Sequence, residues 1–177
     1  VAQWLMRIGY ERDVEPYAQL AIEKREKRRM VETLSGKEKS VRNEQRLTAM
    51  WLLGISLKEQ GRFTEAEAAL RQAVQSVSEK HAALAQFELG HVLVRQGKLG
   101  EAARSYQLVL QSQPDSSRAH YNLGEISRSQ RKWNEAIRHF RQAVSIDPSD
   151  AESQVRLGEV LVKSRNYDEA IIHFKQA

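Results

Sequence analysis

The sequence predicts an all-α fold, a stack of antiparallel helix pairs preceded by a charged helical extension. Three observations predict it. The same residue types return every 34 to 36 positions over the last three quarters of the chain. Within each period, apolar residues recur twice at helical spacing. Only nine Gly and three Pro occur in 177 residues, a scarcity that favours helices.

Residues 1–46 do not share the period. Trp4, Leu5 and Ile8 suggest one or two amphipathic turns, and Pro16 suits the first turn of a helix. Tyr17, Leu20 and Ala21 begin an apolar face that dissolves into Lys24-Arg25-Glu26-Lys27-Arg28-Arg29. Glu23 with Lys27 and Glu26 with Arg29 are spaced as helix-surface pairs. The spacing predicts one solvent-laced helix over about 15–34, a break at Ser35-Gly36, and then a leading extension of the first repeat helix. Such a segment is too poor in apolar residues to offset, alone, roughly 1 to 2 kcal/mol per residue of backbone ordering. It is expected to be an extension and not an independent domain.

Residues 47–177 hold the period. Gly54, Gly90, Gly124 and Gly158 are 36, 34 and 34 residues apart, and each follows a Leu. Twelve residues after each stands Ala66, Ala102, Ala136 or Ala170, and four further on Leu70, Tyr106, Phe140 or Phe174. Ala73, Val109, Ala143 and Ala177 follow, with Pro114 and Pro148 closing two of the units. The expected repeats are 47–82, 83–116, 117–150 and an incomplete 151–177. Each reads as two helices joined by a polar turn such as Glu59-Gln60-Gly61-Arg62 or Arg95-Gln96-Gly97-Lys98, with the glycine in a left-handed cap. Arg131 and Arg165 replace that glycine in the last two repeats, which weakens those turns. Thr64 with Glu67 has the spacing of a capping box, and Asn134 and Asp168 share its column. A mid-helix glycine costs about 1 kcal/mol against Ala. Four in register imply helix crossings where Gly and Ala columns meet and one large side chain fills the remaining space.

The Leu-Gly step, the residue after the turn (Phe63, Leu99, Trp133, Tyr167), and the Ala, Phe or Tyr, Ala and Pro columns together resemble the tetratricopeptide repeat (TPR). The resemblance covers residues 47–177 and implies an α-solenoid of antiparallel helix pairs, a TPR superhelix, behind the extension 1–46. Terminal solenoid repeats normally carry a polar cap. The fourth repeat ends at its second helix, so the sequence is expected to be cut from a longer protein, and Val1 says nothing of targeting.

Composition excludes several classes. Without Cys there is no disulfide framework, thiolate metal site or cysteine nucleophile, and the compartment is left open. No apolar run approaches the roughly 18 residues of a membrane span. Residues 1–46 carry 11 Lys plus Arg against 8 Asp plus Glu, and residues 47–177 carry 17 against 15, so the net charge of +5 is diffuse. Nucleic-acid binding is therefore not expected. Five His are the remaining metal or catalytic candidates, but they form no His-Glu-x-x-His, and no Gly-x-Ser-x-Gly elbow exists. His139 and His173, which share a column, are expected to be exposed. No active site, metal or cofactor is expected.

The resemblance implies that first helices line a concave groove. The column three residues before each glycine reads Trp51, Phe87, Tyr121 and Val155, and one turn on stand Ile55, His91, Glu125 and Glu159. Arg95, Arg118, Asn122, Arg128 and Arg156 flank them. Together these residues are expected to hold a peptide or helix of a partner protein, the aromatic rings as anchors and the charges as selectors. The rings could instead pack between neighbouring helices. One subclass of the family clamps a chaperone C-terminal carboxylate. Asn122 and Arg156 fit two places of that clamp, but Phe87, His91 and Glu152 occupy the others, so that partner is disfavoured. The alternative function is a regulatory arm of an enzyme whose catalytic domain lies outside these residues.

Overall fold

The computed structural model describes residues 19–20, 36–75 and 78–177, and among them are eight helices and no strand. The helix expected over 15–34 lies outside the described residues, apart from the helical Gln19 and Leu20. The chain divides into two compact units, one ending at Lys98 and one spanning Leu99–Ala177. The fold class is all-α, built of antiparallel helix pairs as expected.

In the first unit, α1 (Gly36–Glu59) packs against α2 (Phe63–Ala73), and α2 packs in turn against α3 (Glu79–Arg95). α1 is continuous across residues 46 and 47, so the first repeat helix has a leading extension. Its inner face buries Leu47, Met50, Leu53 and Leu57, and α2 answers with Ala66, Leu70 and Ala73. The crossing is close because Gly54 has no side chain. A Cβ built there would lie 2.5 Å from Leu70 Cγ.

The second unit contains α4 (Leu99–Ser112), α5 (Ser117–Ser129), α6 (Trp133–Ile146), α7 (Ala151–Lys163) and α8 (Tyr167–Gln176). Ala136, Ile137 and Phe140 of α6 meet Leu157, Val160 and Leu161 of α7, with Ala170 of α8 closing the cluster. Phe140 is fully buried over Gly124, where a Cβ would come within 2.7 Å of the ring. Phe174 covers Gly158 in the same way but is 44% exposed.

All four turns inside the pairs close alike. Gly61, Gly97, Arg131 and Arg165 have φ of 76°, 75°, 58° and 62°. The following N–H reaches back five residues, as in Arg62 to Leu57 and Lys132 to Ser127, both at 2.9 Å. This is a Schellman closure, in which the left-handed residue lets two orphan carbonyls find donors. Arg131 and Arg165 adopt it despite their side chains.

The capping box is not formed. Helix α2 starts at Phe63, so Thr64 lies inside its first turn, and the carbonyl of Arg62 takes the Ala66 N–H at 2.9 Å. Glu67 is drawn away by Lys98 at 2.7 Å and Arg71 at 2.8 Å. In the same column, Asn134 and Asp168 lie inside α6 and α8, which open after Lys132 and Asn166 without a side-chain cap. Two first helices are capped instead, α5 by Ser116, which accepts from Ala119 N, and α7 by Asp150, which accepts from Glu152 N, whereas α3 opens after Ser78 without a side-chain cap.

Candidate functional site

In the first unit, the candidate residues stand on α1 and α3. Trp51 is half-buried, and its indole Nε1 is buried without a hydrogen-bond partner. Ile55 and Phe87 are each only 8% exposed. The Phe87 ring lies 4.7 Å from that of His91. Arg95, at the end of α3, reaches back to the preceding helix pair, its guanidinium 5.1 Å over the Phe63 ring at the start of α2. The two first helices are tied by Lys58 Nζ, which reaches Glu88 Oε2 at 2.8 Å and Glu59 at 3.1 Å. Burial works against the ammonium, yet the bonds to Glu88 and Glu59 hold its pKa above the ordinary value.

In the second unit, α5 and α7 are joined by a polar network. Tyr121 Oη donates to Glu152 Oε1 at 2.6 Å, and the ring sets its edge on Phe140 at 5.7 Å. Burial, then the Glu152 bond, pushes the Tyr121 pKa up to about 12. Arg156 sits amid Glu159 at 3.1 Å, Glu125 at 3.6 Å and Glu152 at 3.7 Å. Its pKa is raised, first by the Tyr121 hydroxyl and then by Glu159. Arg128 holds Glu125 through two bonds of 2.7 and 2.9 Å, and Glu125 raises its pKa. Val155 is half-buried beside Arg156. The Asn122 amide donates to its own helix at Arg118 O, 2.7 Å away, while Arg118 is exposed.

The structure thus brings Tyr121, Glu125, Arg128, Arg156 and Glu159 into one preorganised cluster, and Phe87 with His91 into another. Sequence reasoning missed Glu152 as a partner of Tyr121 and Glu88 as a partner of Lys58. These two ties between successive first helices span 30 and 31 residues, Lys58–Glu88 and Tyr121–Glu152, while a third, His81–Glu44, spans 37.

His139 and His173 are not exposed as expected. Helix pairing packs each against the preceding first helix, where His139 Nδ1 stands 3.3 Å from His120 Nδ1 and His173 Nδ1 stands 2.7 Å from Gln154 Oε1. Burial lowers the pKa of both His120 and His139. Among the described residues no group of three His, Cys, Asp or Glu could hold a metal ion, and no helix is long and apolar enough to cross a membrane.

Two family models described as tetratricopeptide repeat match the chain, one over residues 52–116 and 87–151, the other over 127–177. No curated protein sequence matches it significantly. Among solved structures, "MamA RS-1 ArsTM double mutant" aligns with a TM-score of 0.77 at 19% identity, covering 99% of this chain and 87% of that one. A MamA fragment from Desulfovibrio magneticus RS-1 gives 0.74 at 19% identity, covering 99% and 88%. YrrB, titled a TPR protein with an unusual peptide-binding site, gives 0.71 at 16% identity, covering 99% and 80%. At these identities the likeness is one of fold. One of the two models alone matches over half of the residues, and the helix pairs, crossing glycines and Schellman turns run through both units: the chain belongs to the tetratricopeptide repeat family of protein-interaction modules.

Proposed function

We propose that first-helix faces bind a peptide or helix of a partner protein, with Tyr121, Glu125, Arg128, Arg156 and Glu159 selecting it in the second unit and the half-buried Trp51 and His91 offering surface in the first, where Ile55 and Phe87 are packed into the core. The observation that carries this reading is the Tyr121–Glu152–Arg156–Glu125 network. It spans two successive first helices, is partly open to solvent, and holds its charged groups in fixed positions before any ligand arrives. Preorganisation of this kind lowers the entropy lost on binding. A network serving only to join α5 and α7 would gain little stability from half-exposed ion pairs. YrrB, named for a peptide-binding site, has the same fold.

Peptides selected from a random display library against the whole chain provide the test. Affinity for Tyr121→Phe, Tyr121→Ala and Arg156→Gln is then measured beside each variant's melting curve. Truncating a true anchor costs about 2 kcal/mol or more, roughly thirtyfold in affinity. The Tyr121→Phe variant keeps the contact with Phe140 and loses only the hydroxyl, so its effect on binding is free of repacking. Selected peptides that bind all three variants as tightly as the parent overturn the reading.

A further inference from the structure

A second surface lies away from the first-helix faces, at the start of α6. Residues 128–141 carry five basic side chains, Arg128, Arg131, Lys132, Arg138 and Arg141, against the single acid Glu135. Two of the five are neutralised, Arg128 by Glu125 and Arg141 by a bidentate bond to Glu169 with its shortest distance 2.7 Å. The other three line one open cleft of about 620 Å³ together with Trp133 and Ser164. Lys132 and Arg138 reach Glu135 only at 3.9 Å, and their side chains are 59% and 75% exposed. Arg131 makes no ion pair among the described residues. The cleft therefore keeps a net charge near +2, in a second unit whose 11 Lys plus Arg are nearly balanced by 10 Asp plus Glu.

Helix α6 opens here without a side-chain cap, and Glu135 is the one acid of its first turn, so the basic side chains outnumber the carboxylate at this helix start. Ser164, which follows α7, also lines the cleft, but its Oγ is shielded from solvent and is not a contact point for an occupant. Trp133 adds a half-buried indole at the rim.

We propose that this cleft is a docking surface for an acidic segment of a partner protein, whose carboxylates meet Arg131, Lys132 and Arg138 while a neighbouring apolar side chain lies on Trp133. The open cleft suits a chain more than a small enclosed anion. The carboxylates of Asp168 and Glu169 at the start of α8 limit the run of positive charge, which a polyanionic backbone would need to be longer.

The probe is a fluorescein-labelled peptide of about ten residues in which Asp and Glu alternate with Leu, its Asn/Gln counterpart the control, measured by anisotropy with the 177-residue chain at low salt. Lys132→Glu with Arg138→Glu is the test variant; both sites are exposed, so the fold is kept. Arg104→Glu with Lys175→Glu makes the same charge change elsewhere. The acidic peptide is expected to bind at least about tenfold more tightly than the neutral one, and to lose at least about tenfold in the test variant but not in the control variant. Equal losses in both variants, equal binding of the neutral peptide, or no binding overturn the proposal. A single-stranded RNA of matched charge that binds more tightly through Lys132 and Arg138 also overturns it, by making the ligand a nucleic acid.

Discussion

At the scale of single residues, the crossing glycines separate packing from propensity. Gly124→Ala gains about 1 kcal/mol of helix propensity. It also drives a Cβ to 2.7 Å from Phe140, a ring with 0% exposure and nowhere to go. Overpacking at such a site costs about 1 to 3 kcal/mol beyond the gain, so a lowered melting temperature is expected. Gly158→Ala makes an equally short contact with Phe174, but that ring is 44% exposed and can swing outward, so propensity should prevail and stability stay level or rise. Thermal melts of the two variants check the pair; equal destabilisation would mean that the exposed ring is as fixed as the buried one. The paired histidines give a second residue-scale outcome. One ring N–H of His120 or His139 bonds the other's lone pair across 3.3 Å, so charging both sets two donors face to face. Burial lowers both pKa values from the ordinary 6.5; Pro114 O and Asp115 favour the charged form of His120, while Arg138 opposes and Glu135 supports that of His139. The folded state then binds fewer protons than the unfolded chain below 6.5, so this contribution is complete above that pH and is lost as pH falls. Melting temperature should decline from neutral pH toward about 5, and His139→Gln should flatten the decline. An unchanged slope would show that the pair does not titrate on unfolding.

At the scale of elements, the four intra-pair turns share one geometry on two chemistries. A left-handed conformation is free for Gly61 and Gly97 but costs a side-chain-bearing residue about 1 to 2 kcal/mol, less the greater freedom that glycine has when unfolded. Arg165→Gly is therefore expected to stabilise by up to about 1 kcal/mol, and Gly97→Ala, at φ of 75°, to destabilise by a similar amount. Chemical denaturation of both variants measures the difference. These turns were legible in the sequence because one column fixes them. The crossings were legible too, since a glycine that recurs in mid-helix against its propensity marks a place where two backbones approach closely. The start of each second helix was misread by up to two residues. Thr64 looks like a cap from spacing alone, but Glu67 meets a stronger claim from Lys98, which is distant in sequence. The polar ties between first helices were hidden for the same reason: Glu88 and Glu152 acquire their roles only when stacking of successive pairs brings Lys58 to Glu88 and Tyr121 to Glu152, across 30 and 31 residues. Partial burial of His139 likewise depends on His120, a residue of the preceding helix.

At the scale of the whole molecule, contacts stay close in sequence, and energetics should follow. Each helix of the first unit packs on its neighbours in order, α1 on α2 and α2 on α3, and the second unit repeats the scheme from α4 to α8. In repeat architectures built this way, stability is nearly a sum of local terms. Gly54→Ala tests the first unit, since its Cβ would meet fully buried Leu70 at 2.5 Å, and Gly124→Ala tests the second. The two crossings share no side chain, so the double variant is expected to lose the sum of the single losses within about 0.5 kcal/mol. Native-state hydrogen exchange should place each loss. Gly54→Ala is expected to lower protection in α1 and α2, and Gly124→Ala in α5 and α6, each leaving the other pair near its parent value. A uniform fall in protection across helices α1 to α8, together with non-additive losses, would instead mean that the helix pairs open as one cooperative body and that local crossings do not set local stability.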